Sequence, residues 1–295
     1  MSSRSDKIKE LTEKLQNGIK NVFEDENYKK HLKVMSKFHN YSYRNQILIS
    51  LQNPDATLVK GYISWQKDFK RTVKKGEKGI QIIARCVARK DIERDSIDTD
   101  GNPITENVLL EKEFFRRVTV FDISQTEGEE IENLNYIEEL KFDVKDFSSL
   151  FNILKTISPA EVYFKEFKGY KKGCYVPKDN KIFIKENMSE SQTIKTLIHE
   201  IAHAKLHNDN AIKEREELSR RQEEVEAESI AYIVSNYFGI DTSDYSFGYI
   251  ANWSSDKELK ELESSLQLIS NTSNIIIDSI KKSMKNRQKK IAFKL

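Results

Sequence analysis

Apolar side chains recur at helical intervals through residues 5–52. Ile8, Leu11 and Leu15 fall on one face, as do Ile47, Leu48 and Leu51, so the stretch reads as helices closed by Asn53-Pro54. A short amphipathic segment, Tyr62 to Phe69, precedes the turn Lys74-Lys75-Gly76-Glu77-Lys78-Gly79. Beyond it, Ile80, Ile82, Ile83 and Val87 predict one strand and Val118-Thr119-Val120-Phe121 a second, with a loop over 98–103 between them.

After an acidic stretch at 127–135, the best candidate for a linker, the pattern resumes. Residues 147–157 read as a helix and Val162-Tyr163-Phe164 as a strand. Cys174-Tyr175-Val176 and Ile182-Phe183-Ile184, joined by the turn Pro177-Lys178-Asp179-Asn180, predict a hairpin. Ser189 with Gln192 three residues on is a capping-box start. The helix it opens carries Ile194, Leu197, Ile198 and Ile201 on its apolar side. Two more helices are expected near 223–238 and 255–282, and the basic end from Lys289-Lys290 onward is expected to fray.

At 295 residues the chain is about twice the usual domain length, which suggests two domains. Aromatic residues reach 10 %, more than a disordered chain carries, so a packed core is expected despite 33 % charged residues. The net charge of +2 predicts no partner, but its distribution does. Residues 1–125 hold 24 basic against 18 acidic side chains, and 60–94 hold 11 against 4. A basic first half and a mildly acidic second half fit two units with different partners. Cys86 and Cys174 are the only cysteines, too few for a disulfide framework or a cysteine-based zinc site. The residues from Met1 to Glu10 lack the apolar segment of a signal peptide, and no stretch is long enough to span a membrane. A soluble, cytoplasmic protein with no membrane partner is expected.

The sharpest chemical feature is His199-Glu200-Ile201-Ala202-His203. Residues four apart lie on one helix face, so two imidazoles can converge on a zinc ion at roughly 2.0–2.1 Å. Glu200, beside the first, is placed to take a proton from water as general base. Zinc catalysis needs a third protein ligand. The metzincin pattern would put a histidine six residues after His203, where this chain has Asp209. His207 reads either as a support behind the ligands or as a packing histidine.

The third ligand is therefore expected on a later helix, where Glu223-Glu224-Val225-Glu226-Ala227-Glu228 supplies four carboxylates. Glu224 and Glu228 share a face while Val225, Ala227 and Ile230 pack inward. Glu224 is read as the ligand and Glu228 as the group that orients a ligand histidine, with Glu223 and Glu226 facing solvent. The alternative is a solvated acidic helix. Cys174, in an alternating strand, reads as a packing residue.

With these residues in place, 145–250 resembles the ImmA/IrrE-type zincin metallopeptidases, a gluzincin-like group. Glu224-Val225-Glu226-Ala227-Glu228-Ser229-Ile230-Ala231 is similar to the glutamate-rich helix that follows H-E-x-x-H in that group. Ala202 stands where glycine is commoner, which leaves the ligands intact. The resemblance implies one Zn²⁺ per chain and peptide hydrolysis, and it names no protein substrate.

Residues 35–126 concentrate aromatic and basic side chains, including Tyr43, Arg44, Trp65, Lys67, Lys74, Lys75 and Lys78. Rings that stack on unpaired bases and cations that follow phosphates suit single-stranded nucleic acid. Each ring can equally be core: Trp65 reads as a stacking contact or as the anchor of its short helix, and Asn45 as holding backbone or base. Tyr41-Ser42-Tyr43-Arg44-Asn45-Gln46-Ile47-Leu48 resembles the Y-S-x-x-N-x-x-L segment of the ArdC N-terminal domain. Trp65-Gln66, Val73 to Ile80 and Phe121-Asp122-Ile123-Ser124-Gln125-Thr126 are similar to later segments of that domain. ArdC antirestriction proteins pair a single-stranded-DNA-binding domain with a zincin domain, in this order.

The expectation is an α+β protein of two domains. Residues 1–128 form an α+β single-stranded-DNA-binding domain, 129–143 a linker, and 144–254 a mainly helical zincin-like domain with a small antiparallel sheet; 255–295 add a C-terminal helix and basic tail. By resemblance it is an antirestriction-type protein of a plasmid, phage or conjugative element. The rivals are a regulatory zinc protease that cleaves a repressor and a DNA-protecting protein in which zinc is structural.

Overall fold

The computed structural model describes residues 4–23, 25–97, 103–131, 147–206, 220–245, 247, 250–255 and 257–292. Three helices, α1 (Arg4–Val22), α2 (Asp25–Lys37) and α3 (Tyr43–Gln52), occupy the stretch predicted as helical. Strand β1 (Val59–Gly61), helix α4 (Tyr62–Phe69) and strand β2 (Arg71–Val73) lead into a two-stranded ribbon. The ribbon is far longer than its apolar pattern suggests. Strands β3 (Ile80–Ile97) and β4 (Pro103–Asp122) pair antiparallel from Ile80↔Val120 to Ile97↔Pro103. Among its described residues, burial is confined to the base, where Ile80, Ile82 and Val120 lie. The outer part carries cross-strand ion pairs such as Arg89–Glu111 at 2.7 Å and half-exposed Leu109 and Leu110, so the apolar alternation that announces a strand is missing there.

Side-chain amides on α3 hold the open edge of this ribbon. Asn45 donates to the Ile83 carbonyl at 2.9 Å and accepts from its N–H at 3.0 Å. Gln52 does the same for Gln81, at 2.9 and 3.0 Å. Each amide thus satisfies two strand-edge groups that a lone edge would expose. Strand β1 joins β4, and β2 pairs with β5 (Thr126–Gly128). Between them, Asp122 accepts from the N–H groups of Thr57, Leu58 and Ser124, which explains the Asp122–Gln125 segment as a turn-building element.

Residues 132–146, most of the expected linker, lie outside the described residues. The helix Phe147–Ile157 follows, then a three-stranded sheet in the order β6 (Glu161–Lys165), β8 (Lys181–Lys185), β7 (Gly173–Val176). The 174–184 hairpin is antiparallel as expected, and β6 adds to β8 in parallel. Val162, Ile182 and Ile184 are buried, and β7 and β8 pack on the helix Glu190–Leu206; this helix and Arg220–Tyr237 are termed the metal helix and the carboxylate helix below.

The C-terminal helix, expected at 255–282, runs from Leu259 to Ala292. Leu266, Ile269, Ile276, Ile277 and Ile280 on it are fully buried. One cluster of buried side chains includes Leu11 of α1, Leu32 of α2, Ile230 of the carboxylate helix and Ile280 of the C-terminal helix. Tyr28 and Ser229 share a 2.7 Å hydrogen bond, and Ser36 donates to Asn236 at 2.8 Å. Helix α2 thus braces the carboxylate helix from behind, while α1 and α3 pack on the C-terminal helix. No helix among the described residues is long and apolar enough to cross a membrane.

Within this core His31 has neither ring nitrogen hydrogen-bonded among the described residues, and burial pushes its pKa down to about 3. The folded state therefore holds the neutral ring, while the unfolded chain takes up a proton near 6.5. Stability should be intact above 6.5 and fall as the pH drops toward 3, by about 1.4 kcal/mol per pH unit from this residue. Denaturant melts across that range should show the slope shrink by about that amount in His31→Leu. An unchanged slope would contradict the assignment.

Candidate metal centre

The metal helix starts where its sequence says it should. Ser189 Oγ accepts the N–H of Gln192 at 3.3 Å, and its carbonyl accepts the N–H of Thr193 at 2.9 Å. Ile194, Leu197, Ile198 and Ile201 are buried, which turns His199 and His203 toward the carboxylate helix. Their Nε2 atoms lie 3.0 Å apart. Glu224 Oε2 is 3.4 Å from His199 Nε2 and its Oε1 is 3.8 Å from His203 Nε2. One donor atom from each residue falls within 4.8 Å of the others. Glu228, one turn on, places Oε2 3.0 Å from His199 Nδ1 and so leaves Nε2 free to face the centre. Fully buried Val225, Ala227, Ile230 and Ala231, with Ala202 opposite, let the two helices approach closely.

The electrostatics fit a cation. Burial alone would lower the pKa of His199, but hydrogen bonds to Glu224 and Glu228 and the charge of Glu200 outweigh it and raise the value to about 10. Hydrogen bonds from the two histidines hold Glu224 well below the usual carboxylate range. Carboxylates that force a proton onto a buried imidazole form a site that a divalent ion satisfies without that proton. Two imidazoles and one carboxylate are a donor set suited to zinc or a similar ion.

Glu200 is 6 % exposed, and burial raises its pKa against the pull of His199 and His203 and a backbone hydrogen bond from Tyr175. Gly173 sits against it. A Cβ on that glycine would lie 2.9 Å from Glu200 Oε1 and 2.7 Å from Thr196 Cγ2, so β7 reaches the metal helix only without a side chain there. Two clefts of about 330 and 310 Å³ meet at Gly173, His199 and Glu200. Lys195 lines the first, nearly buried, with Nζ 2.5 Å from Asp244 Oδ1. Cys174 and Arg220 line the second. Sequence reading passed over Gly173 and Lys195, although Lys195 lies one helical turn before His199.

Other predicted residues are placed differently. Glu226, expected in solvent, is fully buried and accepts from Gln222 and Ser265, each at 3.2 Å, because the C-terminal helix covers that face. His207 lies outside the described residues. Trp65 has no exposed face for a base: it is fully buried and its indole N–H donates to the Phe121 carbonyl at 2.9 Å. Tyr43 is likewise buried, with its hydroxyl on Glu263 of the C-terminal helix. Arg44 pairs with the same carboxylate at 2.8 Å. These two side chains lock α3 to that helix. Lys67, Lys74, Lys75 and Lys78 are exposed, and Lys74 Nζ donates to the Ser124 carbonyl at 2.9 Å.

Together the fold and centre define a chain with a metallopeptidase-like helical domain behind an α+β unit that carries a long ribbon. Residues 3–121 match the family model for the N-terminal domain of anti-restriction factor ArdC, and 156–252 match that of the IrrE N-terminal-like domain, a peptidase family. Over these two regions, in this order, the chain is similar to ArdC-type two-domain proteins. It is 29 % identical over 288 residues to an uncharacterized protein of Bacillus anthracis, covering 86 % of this chain and 48 % of that one, so it spans about half the length of this relative. Among solved structures it is similar to the antirestriction protein ArdC from the R388 plasmid. The metal-free form is 19 % identical with a TM-score of 0.47, covering 83 % of this chain and 86 % of that one. The Mn(II)-bound form is 18 % identical with the same TM-score, covering 82 % and 84 %.

Proposed function

We propose that this chain is an antirestriction-type protein of a mobile element that binds single-stranded DNA and hydrolyses peptide bonds at a zinc centre. The observation that carries the reading is buried Glu200 beside the converging His199, His203 and Glu224, in a chain whose residues 3–121 match the ArdC N-terminal domain. Zinc held by those three side chains would supply Lewis-acid polarisation of the scissile carbonyl and acidify water.

The remaining steps belong to the protein. Glu200 takes the water proton on its carboxylate, helped by the upward pKa shift that burial gives it, and returns it to the departing amine. Glu228 fixes the tautomer and tilt of His199. The two clefts on either side of Glu200 hold the peptide to its left and right. In the N-terminal unit, exposed Lys67, Lys75 and Lys78 contact phosphates. Tyr62 and Phe115, 47 % and 57 % exposed, take the stacking role that buried Trp65 and Tyr43 cannot fill.

Fluorescence anisotropy with labelled single-stranded and duplex oligonucleotides across a salt series tests the DNA half. Affinity should fall steeply with log salt and favour the single strand. Equal affinity for duplex, or no binding at low salt, would remove it. The basic unit would then serve to bring a regulatory peptidase to its protein target.

A further inference from the structure

The face of the β6–β8–β7 sheet that points away from the metal helix has an order of its own. Strand alternation buries Val162, Ile182 and Ile184 on one side and turns Tyr163, Phe183 and Cys174 to the other. Register makes these three one row: Tyr163 is opposite Phe183, and Phe183 is opposite Cys174. The two rings stack with centroids 6.0 Å apart and planes 29° apart, and Tyr163 is 43 % exposed. Lys165 and Lys185 border the row on one side; on the other, Lys181 stands in register with Glu161, whose carboxylate accepts the Tyr163 hydroxyl at 2.7 Å. Lys181 Nζ lies 5.6 Å from the Tyr163 ring and Lys165 Nζ 5.3 Å from the Phe183 ring, with Lys185 beside Lys165 in register. Residues 161–185 hold seven basic and three acidic side chains, although the half of the chain that contains them is acidic overall.

We propose that this sheet face is a second platform for single-stranded DNA, distinct from the N-terminal unit. Rings in a central row with cations on each flank match a strand whose bases stack and whose phosphates run along the edges. The lysines give up ring contacts worth little in water to meet phosphates. Duplex, whose bases are already stacked, gains nothing from the rings. The row ends at Cys174, which also lines the cleft shared by His203 and Glu224. A strand laid along the row therefore reaches the rim of the metal centre.

The test uses the full chain with Cys86→Ser, which leaves Cys174 as its one thiol, and a labelled oligo(dT). Tyr163→Ala and Phe183→Ala should each weaken binding by about tenfold, whereas Tyr163→Phe, which keeps the ring, should bind as the parent does. Saturating oligo(dT) should also slow alkylation of Cys174 several-fold. Unchanged affinity in both alanine variants together with an unchanged alkylation rate would overturn the platform while leaving the N-terminal reading in place. A parent protein that binds no oligo(dT) would overturn both.

Discussion

Glu200→Gln should reduce peptide cleavage by about 10²- to 10⁴-fold, the range expected for loss of a positioned general base. Glutamine has the shape of glutamate and can still accept the backbone hydrogen bond from Tyr175, so the buried pocket against Gly173 is kept. His199, His203 and Glu224 are untouched, and metal content should match the parent. The measurement is a mass-spectrometric count of new termini in a peptide mixture, run beside metal analysis on the same preparations. Equal cleavage by parent and variant would dismiss Glu200 as the base. A variant that cuts nothing yet protects incoming DNA from restriction as well as the parent would place the biological role in binding.

Removal of the third donor should have the opposite signature. Glu224→Ala is expected to weaken metal affinity more than a hundredfold, because a site worth about 10–16 kcal/mol shared by three protein ligands loses on the order of 3–5 kcal/mol with one of them. Glu228→Ala, which removes only the 3.0 Å partner of His199 Nδ1, should cost about 10- to 100-fold. The ordering matters most. If Glu228→Ala loses the metal while Glu224→Ala retains it, the two carboxylates have been assigned the wrong way round. Titration against a chromophoric chelator at fixed pH reads both, and thermal melts show whether either variant has lost the braced carboxylate helix.

Much of this centre was legible because helices make spacing into geometry. His199 and His203, and likewise Glu224 and Glu228, are each four apart, and that interval alone puts each pair on one face. The capping serine and the apolar side of the metal helix are equally local. What the sequence hid depends on partners distant along the chain. Trp65 reads the same whether it stacks on a base or donates to Phe121, 56 residues away. Glu226 looks like surface until Ser265 is brought against it. The outer ribbon mixes ion pairs with exposed apolar residues such as Leu109, Leu110 and Phe115, so backbone pairing without a regular apolar rhythm left no trace in the pattern. Gly173 matters for a side chain it lacks, which composition cannot register.

The buried contacts between the first and last helices bear on how the chain acquires its shape during synthesis. Gln46 waits for Ser270, and Tyr43 and Arg44 for Glu263, more than two hundred positions later. The ribosome will have released the metal helix long before the C-terminal helix can close over Glu226 and α3. Such distant pairings fold late. A nascent chain paused before residue 259 would carry every proposed metal ligand but no lid on the core. Burial of the core that the N-terminal helices share with the carboxylate helix should therefore be completed when the helix Leu259–Ala292 docks, in one event and not as two successive domains.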